Sequence, residues 1–208
     1  THITPVKNTY NIDKHLLITG PNAAGKTTLL KTTLFNILIS QQMGYGCYNR
    51  ATITPFHRIN CYINIPDTSN RDSLFQAEAR RCKNILETIN EHNDERHFCV
   101  FDELYSGTNP YEAISSAVSF LNYVNDNKKV KFIITTHYLD ICNKLEENKD
   151  MRNCNMKINS KTDGGFDYTY KLVDGVSDIK GGVKVLTDLE YPERIIKDTK
   201  ELMSKMNI

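Results

Sequence analysis

Residues 20–27 read Gly-Pro-Asn-Ala-Ala-Gly-Lys-Thr, and this run constrains the chain more than any other. It fits G-x-x-x-x-G-K-[ST], a loop whose setting is a buried strand followed by a helix. Both flanks are present. His15 to Thr19 is a short apolar run that predicts a buried strand, and Thr27 to Gln42, free of Gly and Pro, predicts a helix. In that setting consecutive backbone N–H groups and the helix N-terminus form a cradle for anions. Gly25 lets a phosphate approach the backbone with no Cβ in the way. Lys26 is expected at the β- and γ-phosphates of ATP, and Thr27 as a ligand of Mg²⁺. The expected nucleotide contacts are Gly20, Pro21, Asn22, Ala23, Ala24, Gly25, Lys26 and Thr27, with Thr28 next in the first helical turn.

The rest of the chain continues the alternation. Arg58 to Ile65, His97 to Phe101 and Val130 to Thr136 predict strands. Leu74 to Glu91, Tyr111 to Val124 and Leu139 to Leu145 predict helices. Tyr45 to Thr54 and Pro66 to Arg71 are rich in polar and turn-forming residues and predict loops. Met156 to Ile158 and Phe166 to Leu172, around Asp163-Gly164-Gly165, suggest a β-hairpin. The tail, Val183 to Leu189 and Pro192 to Met206, is predicted helical, with Pro192 suited to a first turn. Strands alternating with helices predict an α/β domain with a mostly parallel sheet flanked by helices. In such sheets ligands bind beyond the carboxyl ends of the strands.

Two more features fall at that edge. Asp102-Glu103 follows the apolar strand residues Phe98 to Phe101. Asp102 is expected to hold Mg²⁺, directly or through water, and Glu103 to polarise the attacking water as general base. His137 follows the strand Phe132-Ile133-Ile134-Thr135-Thr136 and is a candidate for the γ-phosphate or the attacking water. A lone histidine is more often structural, and the other five histidines are read as surface or structural.

Composition narrows the partners. The chain has 208 residues and a formal net charge of +1, with Lys and Arg dispersed among acids. A nucleic-acid surface normally carries a basic stripe, so DNA contacts are expected in domains outside this chain. No apolar run approaches the roughly 20 residues that span a bilayer, and no signal peptide is visible. None of the six cysteines forms a C-x-x-C pair, which argues against zinc and for reduced thiols in an intracellular protein, cytoplasmic or nuclear. A chain that begins at Thr1 is expected to be a fragment of a longer protein.

Five segments in order carry a resemblance. Gly20-Pro21-Asn22 opens the loop; Ser73-Leu74-Phe75-Gln76-Ala77-Glu78 looks like S-T-F-x-x-E; Asp102 through Gly107-Thr108 looks like D-E-x-x-x-G-T. Thr136-His137-Tyr138 looks like T-H-[FY], and Gly182-Val183 through Tyr191-Pro192-Glu193-Arg194-Ile195-Ile196 looks like Y-G-[IV]…V-P-x-x-V-I. From about Pro5 to Lys200 the chain resembles the ATPase domain of the MutS DNA mismatch repair family, within the ABC-type ATPase superfamily. The resemblance implies a P-loop fold of ABC type and an ATP-driven dimer, either a homodimer or a MutS-like heterodimer. Two such domains would sandwich ATP, with Ser73 reaching the partner's γ-phosphate. Gly107-Thr108 would lie in the loop that crosses the dimer interface. Pro5, Val6 and Asn8 would border the adenine. It also divides residues 1–208 into a nucleotide-binding core, about 1–178, and C-terminal dimerisation helices, 179–208.

Departures from the pattern define the alternatives. Ala23-Ala24 replaces Met-Gly, which removes backbone freedom; Leu104-Tyr105-Ser106 replaces I-G-R, so an arginine is absent; Leu74 replaces Thr. A MutS-related protein with a role outside mismatch repair could carry such changes. A transporter subunit or SMC-like head of ABC type is the second reading, against which stands the absence of L-S-G-G-Q. A nucleotide-binding dimerisation module without hydrolysis is the third, opposed by intact Lys26, Asp102 and Glu103.

Overall fold

The computed structural model describes residues 4–65, 73–160, 166–177 and 181–205. The expected loop at 66–71, the turn at 163–165 and the end of the last helix at Met206 lie outside them.

Twelve elements follow in chain order. They are β1 (His15–Thr19), α1 (Lys26–Met43), β2 (Arg58–Tyr62), α2 (Leu74–Glu91), β3 (His97–Asp102) and α3 (Pro110–Asp126), then β4 (Val130–Thr135), α4 (Leu139–Lys144), β5 (Met151–Ser160), β6 (Phe166–Asp174), α5 (Gly182–Asp188) and α6 (Glu193–Lys205). The strands form one sheet in the order β2-β3-β4-β1-β5-β6. All neighbouring pairs are parallel except β5 and β6, so the expected mostly parallel α/β fold is what forms.

The apolar runs of the strands are explained by burial on both faces. Leu17, Cys99, Phe101, Phe132 and Ile134 pack with Cys82, Ile85 and Ile89 of α2 and Ala117, Phe120 and Leu121 of α3. Leu16, Ile18, Phe98, Val100 and Ile133 face the other way, onto Leu30, Leu34 and Ile37 of α1. Helix α2 begins where Ser73 and Gln76 close a capping box, a pairing that satisfies two backbone donors at once. Helix α3 starts with Asn109 as its cap and Pro110 in the first turn.

Most predicted boundaries shift by one or two residues, and those of β2 and β5 shift further. Strand β2 stops at Tyr62 rather than Ile65, because Asn64 turns the chain at φ 51°. Strand β5 starts at Met151, five residues before the expected Met156, and runs parallel to β1 from His15↔Met151. Its first half is too polar to read as a strand because its side chains bond laterally: Arg152 Nε donates to Asp174, and Asn155 Nδ2 to the Gly175 carbonyl.

Helices α5 and α6 pack on each other, and no residue of α6 is buried among those described. Val185, Leu189, Tyr191, Ile195 and Leu202 leave large apolar side chains exposed there. No described helix is long and apolar enough to cross a membrane. All six cysteines are free thiols; Cys47 is exposed, and burial pushes Cys82, Cys99 and Cys142 up to about 12.

Candidate functional site

The site is built where β1, β3 and β4 end. Strand β1 releases the glycine loop and α1 receives it, so the loop spans the carboxyl edge of the sheet. Gly25 caps α1 at φ 96°, and Ala23 also takes positive φ, 64°. Successive N–H groups in such turns make a concave donor surface. Ala24, where the resemblance leads one to expect glycine, does not need positive φ. Its methyl is buried and its N–H bonds to the Pro21 carbonyl at 3.3 Å. The loss of backbone freedom expected at Ala24 therefore costs nothing in this conformation.

Lys26 is 5% exposed, and its ammonium donates to the carbonyls of Gly20, at 2.8 Å, and Pro21, at 3.2 Å. Burial lowers its pKa, opposed by the nearby charges of Glu103 and Asp102. A charge held at that cost gains from an anion entering the loop. Asn22, Ala23 and Thr28 are exposed at the loop rim.

Thr27 Oγ1 donates to Asp102 Oδ1 at 3.0 Å, joining the start of α1 to the end of β3. Thr135 Oγ1, from the end of β4, donates to the same oxygen. Glu103 follows at φ 54°, with His137 Nδ1 3.6 Å from its Oε1. The His137 imidazole holds the Glu103 carboxyl below the usual carboxylate range. Burial works against it, and the charge of Lys26 adds to it. Glu103 is therefore ionised at neutral pH and able to accept a proton.

Lys26, Thr27, Asp102, Glu103 and His137 thus lie together at this sheet edge. Ser73 does not join them within this chain: it is exposed, and its hydroxyl accepts the Gln76 N–H at 3.3 Å as the cap of α2.

Two residues were assigned no role from the sequence, although Glu78 closes the S-T-F-x-x-E resemblance. Glu78, 2% exposed, braces the segment after the acid pair. Its Oε1 accepts from Ser106 N and Oγ at 3.1 and 2.9 Å, and its Oε2 accepts from Gly107 N at 3.0 Å. A signal existed: Glu78 lies on the same helical stripe as Cys82, Ile85 and Ile89, and a carboxylate on an apolar stripe needs donors. Gly107 is pressed against α2, where an added Cβ would come within 2.7 Å of Leu74 Cγ. Between α2 and the acid pair lies a cavity of about 190 Å³, lined by Tyr62, Asn64, Glu78, Asp102, Glu103 and Ser106, among others. The second residue is Tyr170, exposed in β6 and placed so that a Cβ on Gly25 would lie 3.1 Å from its ring. Its carbonyl accepts from Asn8 Nδ2 at 2.9 Å, which fixes the N-terminal segment beside the loop.

The comparisons with known proteins extend over nearly the whole chain. The chain is 30% identical to Endonuclease MutS2 of Fusobacterium nucleatum over 99% of its length, covering 26% of that protein. It is 27% identical to DNA mismatch repair protein MutS of Orientia tsutsugamushi over 96% of its length, covering 22% of it. Endonuclease MutS2 of Clostridium beijerinckii is 30% identical over 93% of the chain. The chain thus spans about a quarter of the length of the relatives it matches. The family described as MutS domain V matches residues 16–207, nearly the whole chain, and the chain belongs to that family.

Proposed function

We propose that the chain binds ATP with Mg²⁺ and hydrolyses it, as the nucleotide-driven part of a MutS-like DNA repair or recombination protein of ABC type. One observation carries the reading. The Thr27–Asp102 hydrogen bond brings the glycine loop and the acid pair to one sheet edge, with Glu103 and His137 beside them. A hydroxyl and a carboxylate are hard oxygen donors of the kind Mg²⁺ takes, and a hydroxyl can lend its lone pair to a cation while still donating its hydrogen bond to Asp102. The cation, when bound, supplies neutralisation of phosphate charge.

The chain's own residues do the rest. Lys26 exchanges the Gly20 and Pro21 carbonyls for phosphate oxygens, which relieves its buried charge. The loop N–H groups hold the phosphate chain, and Glu103 takes the proton of the attacking water. His137 keeps Glu103 ionised and adds a donor at the terminal phosphate. Asn8 and the Tyr170 ring flank the loop where the base would lie.

The exposed apolar side chains of α5 and α6 support a partner on that face, a second copy or a MutS-like homologue. Ser73, exposed at the head of α2, would then serve the partner's nucleotide. DNA would be engaged by parts of a longer protein. Relatives named as an endonuclease and as a DNA mismatch repair protein match this domain, so the proposal is confined to a nucleotide step that either role could use.

The test is titration of a fluorescent ATP analogue with Mg²⁺ into the parent chain and Lys26→Ala. The parent should bind and the variant should bind more weakly while staying folded. Equal affinities, or no binding by the parent, would sink the reading.

A further inference from the structure

Thr135 does two things at once. Its hydroxyl donates to Asp102 Oδ1, and its carbonyl accepts the Glu103 N–H at 3.0 Å. The parallel register sets this up, with Asp102 directly opposite Thr135 across β3 and β4. The residue is fully buried at the end of a strand, directly after Phe132, Ile133 and Ile134, which are aliphatic or aromatic. Valine has nearly the same shape as threonine, so what the hydroxyl adds at this buried position is its hydrogen bond.

Building on the ATP and Mg²⁺ reading above, we propose that Thr135 is the positioning residue of the acid pair, fixing the Asp102 carboxylate for the cation and the Glu103 backbone for its base. Thr27 also donates to Oδ1, but Thr27 stands at the end of the loop that must receive the phosphates. Thr135 stands in the core strand and keeps its hold whatever the loop does. Among the described residues both side-chain hydrogen bonds to Asp102 fall on Oδ1. Oδ2 is thereby left for the cation or its water, and the carboxylate cannot rotate to offer the other oxygen without breaking the Thr135 bond. Glu103 sits at φ 54°, a backbone region that a non-glycine residue holds only under constraint, and the bond to the Thr135 carbonyl is that constraint. Groups that orient a metal ligand from behind typically contribute 10- to 100-fold to metal affinity.

The experiment measures the Mg²⁺ concentration for half-maximal binding of a fluorescent ATP analogue. In Thr135→Val it should rise by roughly 10- to 100-fold, while binding in EDTA and the unfolding midpoint stay close to the parent. Thr135→Ser, which keeps the hydroxyl and loses the methyl, should restore the parent's Mg²⁺ midpoint even though it packs less well. A role in packing alone predicts the opposite order of the two variants. Equal midpoints for Val and parent, or a shifted midpoint in Ser, would overturn the assignment while leaving nucleotide binding intact. A parent chain that binds no nucleotide overturns both. Should Val fail to fold, Thr135→Ala, which also removes the hydroxyl, should show the same rise relative to Ser, and an Ala midpoint equal to that of Ser would overturn the assignment.

Discussion

His15 ties the first strand to its neighbours through a neutral ring, and acid should undo it. The ring stacks on Phe132 at 3.9 Å. Its Nδ1 accepts the Phe132 N–H at 3.1 Å, so Nε2 carries the proton and donates to Asn125 Oδ1 at 2.9 Å. Burial first, and the charge of Lys131 second, lower its pKa from 6.5 to about 4. Between those values the unfolded chain binds one proton that the folded chain refuses. Stability is fully present above pH 6.5 and falls as pH drops toward 4. The slope is about 1.4 kcal/mol per pH unit, and the whole window is worth roughly 3 kcal/mol. That is a sizeable part of the 5–15 kcal/mol typical of a domain. Urea unfolding followed by circular dichroism at half-unit steps from pH 7.5 to 4.5 measures it. His15→Phe keeps the ring stack and removes the titration; it should be less stable at neutral pH, but flatter below 6.5. The difference between the two curves removes the contribution of the carboxylates, which titrate in both. Identical slopes in parent and variant would refute the reasoning.

Other perturbations reach the site itself. Glu103→Gln keeps the size and removes the base, so nucleotide should still bind while turnover falls by about 10²- to 10⁴-fold in a single-turnover assay. Ser73→Arg and Lys26→Ala should each be inactive alone. Once sedimentation with ATP has established a dimer, mixing them should return up to roughly half the activity per mixed dimer, and no return would place Ser73 in cis. Gly107→Ala should push the 103–108 loop off α2, because the new methyl meets Leu74 Cγ at 2.7 Å and Phe75 N at 2.8 Å. The expected loss is about 1–3 kcal/mol, read by thermal unfolding.

Much of this molecule was legible in order along the chain. The glycine loop carried its own strand and helix, and α2 runs from Leu74 to Glu91 as periodicity predicted. The acid pair was visible as charges closing an apolar run. These features are local: a strand buried on both faces is apolar throughout, a capped helix announces its first turn, and a charge at the end of a strand stands out. Strand β5 was half missed for the same reason, since its polar first half is satisfied by residues about twenty positions away.

What lies side by side could be decided only by tertiary packing. Nothing around Thr135 marks it off from Thr136, yet the order β3-β4-β1 sets Thr135 against Asp102, and His137 meets Glu103 just beyond. Glu78 lies as an acid on an apolar stripe, and only the fold supplied its donors at Ser106 and Gly107. The sequence by itself determined most of the strands and helices and which residues are candidates for the chemistry. Strand order and register were settled by which apolar faces bury each other across the chain. That is a sum of long-range contacts that no local pattern encodes.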